Sequence, residues 1–227
     1  MNKVIYLIDQ PLDERNYDRF GVEAWRDRGW NVEVWDLTAW ANPRMWRDFA
    51  DYGREPRRFG GYFVISGASD LARRLRAALP IRYFIDLTSD GYRSLRAKLA
   101  LVRRGARRIT SALGAIPAPP RSHNGGLGGN LRRALALGPR GAVEAVCNRI
   151  YSHAAATLAP PGVTVIAGST SAPAASRART IIQAHNFDYD IYLKVARARP
   201  SADGGFAVFI DQDYCFHPEF SCKESST

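Results

Sequence analysis

Long hydrophobic runs are missing from this chain. No stretch of about eighteen or more uncharged apolar residues occurs, so no helix is expected to span a bilayer. The short run Val4 to Ile8 is interrupted by Asp9, which argues against a secretion signal and makes the cytoplasm the expected location. Cysteine is scarce as well. Cys147, Cys215 and Cys222 are an odd number without CxxC spacing, so neither a disulfide framework nor a zinc knuckle is indicated, and all three read as reduced thiols. The turn after the first apolar run, Asp9-Gln-Pro-Leu-Asp-Glu, holds no GxGxxG, which removes the main support for ordinary dinucleotide binding. Acids are in deficit. With 32 Lys and Arg against 22 Asp and Glu the net charge is +10, yet the arginines fall in scattered doublets (Arg57-Arg58, Arg73-Arg74, Arg103-Arg104, Arg107-Arg108, Arg132-Arg133) rather than in one stripe. They read as a solvated face; nucleic acid is an unlikely partner, and attraction to phosphorylated substrates or to anionic lipid headgroups is the functional alternative.

What is present is a core-forming composition, 46% hydrophobic over 227 residues, in a pattern of alternating strands and helices. Val4 to Asp9 is a strand that stops at Pro11; Leu12 to Arg28 is a helix with Asp13 and Glu14 at its start and Gly29 at its end. Asn31 to Asp36 alternates apolar and polar residues and reads as a strand nearer the sheet edge than the first. A short helix at Pro43 to Tyr52, a strand at Tyr62 to Ser66 and a helix at Asp70 to Leu79 follow. Ile81 to Asp86 is a strand, Tyr92 to Arg104 a helix ended by Gly105, and Arg108 to Leu113 a weak strand. The expected fold is α/β, a Rossmann-like doubly wound, mostly parallel sheet flanked by helices, with residues 1–113 as its βα core.

Residues 114–130 are Pro-rich and then Gly-rich and read as a loop. Its Gly126 and Gly128 could bring backbone N–H groups close to a phosphate or sugar, although no Lys-Ser/Thr pair of P-loop type accompanies them. Residues 131–218 continue the α/β domain. A helix spans Ala142 to Leu158 with Val143, Val146, Ile150 and Ala154 on one face; strands follow at Val163 to Gly168, Thr180 to Ala184 and Phe206 to Ile210, and 219–227 is a frayed tail.

Candidate chemistry gathers where the last two apolar runs end in acids, because the carboxyl ends of strands form the ligand crevice of an open α/β sheet. His185 is the candidate general base, with Asp211 as its orienting acid. The bland alternative is a histidine bonded to backbone at a turn. Asn186, Asp188, Asp190, Asp213 and His217 complete the substrate-binding set. Asp188-Tyr-Asp190 and Asp211-Gln-Asp213 both fit DxD, the spacing that can hold a divalent cation such as Mg²⁺ against a nucleotide diphosphate. Asp188 and Asp190 also suit a helix start without any ligand. No HExxH or close ligand pair supports zinc, and no metal site is assigned.

The stretches Val4-Ile-Tyr-Leu-Ile-Asp9-Gln-Pro-Leu-Asp-Glu-Arg-Asn-Tyr17, Gly29-Trp-Asn-Val-Glu-Val-Trp-Asp36, Ala184-His185-Asn-Phe-Asp188-Tyr-Asp190-Ile-Tyr-Leu-Lys194, Phe209-Ile-Asp211-Gln-Asp213 and Phe216-His217-Pro218 resemble bacterial proteins of cell-surface polysaccharide biosynthesis (lipopolysaccharide or capsule). Such proteins are glycosyltransferase-like, with the two Rossmann-type domains of the GT-B architecture. The resemblance implies that this chain corresponds to the acceptor-binding N-terminal portion and that a donor-binding half is absent. It also implies a glycan or glycolipid acceptor, a nucleotide sugar as co-substrate rather than a bound cofactor, and little reliance on a DxD-held metal. A separate donor-binding chain and peripheral contact with the inner membrane face go with that reading. The alternatives are a non-catalytic binding or partner module, such as a truncated relic, and a nucleotide-binding enzyme of other chemistry.

Overall fold

The computed structural model describes residues 2–51, 55–78, 80–112, 138–167 and 178–185, with Tyr189, Leu193 and Arg197. Their centre is β1 (Lys3–Ile8), in which Val4, Ile5, Leu7 and Ile8 are fully buried and Tyr6 nearly so. A continuous apolar run is what a parallel strand needs when both of its faces are covered. Around it β2 (Asn31–Asp36), β3 (Tyr62–Val64), β4 (Tyr83–Leu87), β5 (Arg107–Ala112), β6 (Val163–Ile166) and β7 (Thr180–Gln183) pair in the order β3-β2-β1-β4-β5-β6-β7. Every pairing is parallel. The fold is therefore α/β and Rossmann-like, doubly wound from β1 in both directions.

Helices flank both faces. One face packs Val4, Tyr6, Ile8, Val32 and Val34 under α1 (Glu14–Arg19) and α2 (Val22–Arg26), which contribute Tyr17 and Val22. The other packs Ile5, Leu7, Trp35 and Phe84 against α5 (Ala68–Ala77) and α6 (Tyr92–Arg103) through Leu71, Leu75, Ala97 and Leu101. Each large side chain so buried stabilises by roughly 1.5–3 kcal/mol. Two further helices, α3 (Thr38–Ala41) and α4 (Pro43–Asp51), join β2 to β3. The long α7 (Gly138–Leu158) joins β5 to β6 and lies against α6, where Tyr151 meets Tyr92 at 6.1 Å between ring centroids.

Several expectations are refined. The single helix read over Leu12 to Arg28 is broken by Gly21, whose φ of 67° lies in the left-handed region that a residue with a Cβ rarely adopts. Asp13 caps the first piece by accepting the Asn16 amide at 2.7 Å. β2 does lie nearer the edge than β1, yet its alternation does not mark a half-exposed strand. Glu33 and Asp36 are buried with partners: Glu33 meets Lys3 at 2.8 Å and Arg74 at 3.1 Å, and accepts the Trp35 indole N–H at 2.9 Å. The arginine doublets are only in part a solvated face, since Arg74 and Arg108 turn inward to pair with Glu33 and Asp86. On α7, Val143, Val146 and Ile150 share a face as read, but that face is the exposed one. The loop at 114–130 and the strand at Phe206 to Ile210 lie outside the described residues. Among the described residues, no helix is long and apolar enough to cross a membrane.

Candidate functional site

The strand order reverses between β1 and β4, and in open α/β sheets the ligand crevice lies outside the carboxyl ends of the strands at that fork. Ile8 pairs with Leu87 there, so the segment starting at Asp9 leaves the sheet beside Thr88, Ser89 and Asp90. The two segments are tied together. The Ser89 amide donates to Asp9 Oδ2 at 2.7 Å, and the Ser89 hydroxyl donates to the same oxygen. Asp9 is half-buried, and desolvation pushes its pKa up; the two Ser89 hydrogen bonds and the charge of Lys98 oppose the shift, while Asp86 adds to it.

Beneath this pair lies a buried ionic group. Asp86 on β4 accepts Arg108 Nε at 2.7 Å and pairs with Arg108 Nη2 at 2.6 Å and with Lys98 Nζ at 3.2 Å. Its other oxygen accepts the Thr88 amide at 3.1 Å and the Thr88 hydroxyl at 2.7 Å. The side chains of Lys98 and Asp86 are 1% and 2% exposed, so this network fixes the loop after β4 rather than meeting solvent. Lys98 also reaches Asp90 at 3.5 Å, and Asp90 is exposed on the same loop. The register carries the polar row outward, from Asp86 to Thr110 and on to Thr164, whose hydroxyl lies 2.8 Å from that of Thr110.

At the end of β2, Asp36 is fully buried. One oxygen accepts the Thr38 amide at 2.7 Å and the Thr38 hydroxyl, and the other accepts the Tyr62 hydroxyl at 2.6 Å. Burial drives its pKa up, with those hydrogen bonds opposing, and burial beside Asp36 drives the Tyr62 phenol up in turn. Both oxygens are thus engaged. Being fully buried, Asp36 presents no oxygen to a ribose hydroxyl arriving from solvent.

The mouth is aromatic and basic. Tyr92 opens α6 and is 53% exposed. Arg96 lies 5.7 Å from the rings of both Trp40 and Tyr92, and Arg93 donates to the Trp40 carbonyl, which ties α3 to α6 across the top of β1. At the fork itself the polar atoms are those of the Asp9 carboxylate and Ser89. Carboxylates accept hydrogen bonds from hydroxyl groups and repel phosphate, and among the described residues no glycine-rich turn offers amides to a phosphate here.

The residues chosen from sequence stand elsewhere. His185 follows β7, is exposed, and lies 4.3 Å from the ring of Tyr189 at an interplanar angle of 31°. With neighbouring strands about 4.8 Å apart, three strand spacings put it about 14 Å from β4, away from Asp9 and Ser89. Asn186, Asp188, Asp190, Asp211, Asp213, His217, Gly126 and Gly128 lie outside the described residues. Among the described residues, no group of three His, Cys, Asp or Glu side chains could hold a metal ion. Asp9 carried the same sequence signal as Asp211, an apolar run ending directly in an acid. Its partner Ser89 is set by the pairing of β1 with β4, which a linear reading does not reveal.

No family model and no curated protein matches the chain. The fork geometry is therefore the ground on which function is argued.

Proposed function

We propose that this chain is a glycosyltransferase-like, acceptor-binding α/β unit that holds a hydroxyl-bearing saccharide at the carboxyl ends of β1 and β4. The observation that carries the reading is the Asp9 carboxylate at the strand-order reversal, fixed by Ser89 through two hydrogen bonds to one oxygen. A carboxylate in a half-buried crevice suits a sugar hydroxyl and disfavours a diphosphate. Tyr92, three residues after Ser89 and 53% exposed, is the nearest aromatic side chain in sequence that could meet an apolar sugar face. The carboxylate weighs against the nucleotide-binding alternative, as does the full burial of Asp36.

In this reading a nucleotide sugar is the donor and binds outside the β1/β4 crevice. The glycosyltransferase-like class rests on the resemblance of the quoted stretches alone, and His185 stays a candidate base only for a ligand that reaches the β7 end. The test is ligand-dependent thermal stabilisation against neutral oligosaccharides, free nucleotides and nucleotide sugars, since a ligand that binds only the folded state raises the melting temperature by mass action. Stabilisation by a neutral oligosaccharide that is lost in Asp9→Asn and Ser89→Ala supports the reading. Stabilisation by free nucleotides that survives both substitutions refutes it.

A further inference from the structure

A second site begins at the amino-terminal end of the sheet, on the face where the cluster under α1 and α2 takes in β2, β1 and β4 but no described residue of β5, β6 or β7. There the row Tyr6, Ile85, Ile109 and Val163 runs in register across β1, β4, β5 and β6, with Val165 and Ile182 paired in the next row. Parallel sheets bury both faces, yet Ile182 is 48% exposed, and among the described residues no helix packs on β5, β6 or β7 from this side. A groove of about 520 Å³ lies over these strands. Trp25 and Trp30 line it, their rings edge to face at 4.9 Å, and Trp30 leans on Tyr83 at 6.1 Å. Its size and mostly apolar, aromatic lining are those of a small-molecule site.

Its charge is one-sided. Among the described residues Arg82, just before β4, is the one charged residue lining the groove, and it also lines a second cavity of about 380 Å³ together with Asn2, Lys3 and Arg107. Among the described residues no acid lines either space. Lys3 is matched by Glu33, but neither Arg82 nor Arg107 has a carboxylate partner among the described residues; Arg82 donates only to Asn2 Oδ1 at 3.3 Å. An apolar trough thus runs into an uncompensated basic pocket, with Arg82 shared between them.

We propose that this pair of cavities binds an anionic amphiphile as a monomer, its single hydrocarbon chain along Ile85, Ile109 and Val163 and its phosphate between Arg82 and Arg107. No residue lining the two cavities belongs to the saccharide crevice, where Asp9 and Ser89 follow the ends of β1 and β4, so failure of one reading leaves the other standing. The test titrates the full chain with dodecyl phosphate, dodecyl maltoside and inorganic phosphate, keeping both amphiphiles below micelle formation and following tryptophan emission. Dodecyl phosphate is expected to give a saturable change and to bind about tenfold or more tighter than the maltoside, as a charge-assisted hydrogen bond implies. Arg82→Gln, at an exposed position, removes that preference. Ile182→Asp, on β7, weakens both amphiphiles. Equal affinity for the two amphiphiles with no effect of Arg82→Gln overturns the proposal, as does absence of binding or a response only to phosphatidylglycerol vesicles. A dimer that Ile182→Asp dissociates would give the groove to a second copy of the chain and overturn it equally.

Discussion

Removing either partner of the buried Asp86–Lys98 pair should have unequal effects, and the inequality follows from who is left behind. Without the Asp86 carboxylate, the Lys98 ammonium stays buried with only Asp90 at 3.5 Å, and Arg108 keeps only the carbonyls of Ala159 at 2.8 Å and Ala155 at 3.4 Å. Breaking a buried pair so that one charge is stranded costs about 3–5 kcal/mol. Without the Lys98 charge, Asp86 still has two contacts from Arg108 and two from Thr88. Lys98→Met keeps the stem and loses one charge-assisted contact, about 1.5–3 kcal/mol at most. For a chain of this size each kcal/mol shifts the melting temperature by about 2–4 °C, so Asp86→Ala should lower it by about 6–20 °C. The decisive comparison is the double variant. Asp86→Ala with Lys98→Met lacks the stranded ammonium and should be more stable than Asp86→Ala alone, a strong departure from additivity. Urea unfolding of the four proteins measures all terms. A Lys98→Met cost equal to that of Asp86→Ala, or additive costs in the double variant, would refute the reasoning.

The raised Asp9 pKa makes a pH-dependent statement. Below the ordinary value of 3.8 the carboxyl is protonated in both folded and unfolded chains, and stability is then lost as pH rises through the folded value, because the fold disfavours the charge. Asp9→Asn should therefore melt higher than the wild type at pH 7, with the gain vanishing as the pH falls to 3.8; thermal melts across that range check it, and a gain that persists unchanged at low pH contradicts it. At the β2–β3 contact, a Cβ on Gly61 would stand 2.2 Å from the Val32 carbonyl oxygen and 2.7 Å from the Phe59 ring, whereas one on Gly60 meets nothing within 4 Å. Gly61→Ala should cost about 1–3 kcal/mol in urea unfolding, and Gly60→Ala should stay within about 0.5 kcal/mol of wild type.

The fold was largely legible because its signals are local. Val4 to Ile8, Phe84 and Trp35 form short apolar runs bounded by polar residues, and Gly29 and Gly105 end helices with φ of 76° and 82°. The break at Gly21 was hidden because the apolar positions on either side keep helical spacing across it. In β2 the alternation misled: Glu33 and Asp36 look solvent-facing in sequence, and only their partners Lys3, Arg74, Trp35, Thr38 and Tyr62, which come from elsewhere in the fold or from the chain nearby, let them be buried. The site was legible in kind but not in place. The rule that acids after buried strands line the crevice holds for Asp9, but which strands flank the fork depends on the order β2-β1-β4, set by tertiary pairing. His185 obeys the same rule at β7, three strands away, where no described acid joins it.

The central claim is that saccharide binds at the β1/β4 fork, and the most direct measurement is a ¹H–¹⁵N titration of the full chain with a neutral oligosaccharide that stabilises it. The account predicts that the amides of Ser89 and Thr88, bonded to Asp9 and Asp86, move first and saturably, and that Asp9→Asn abolishes the movement. Movement confined to residues around His185 and β7, with Ser89 and Thr88 still, would contradict it.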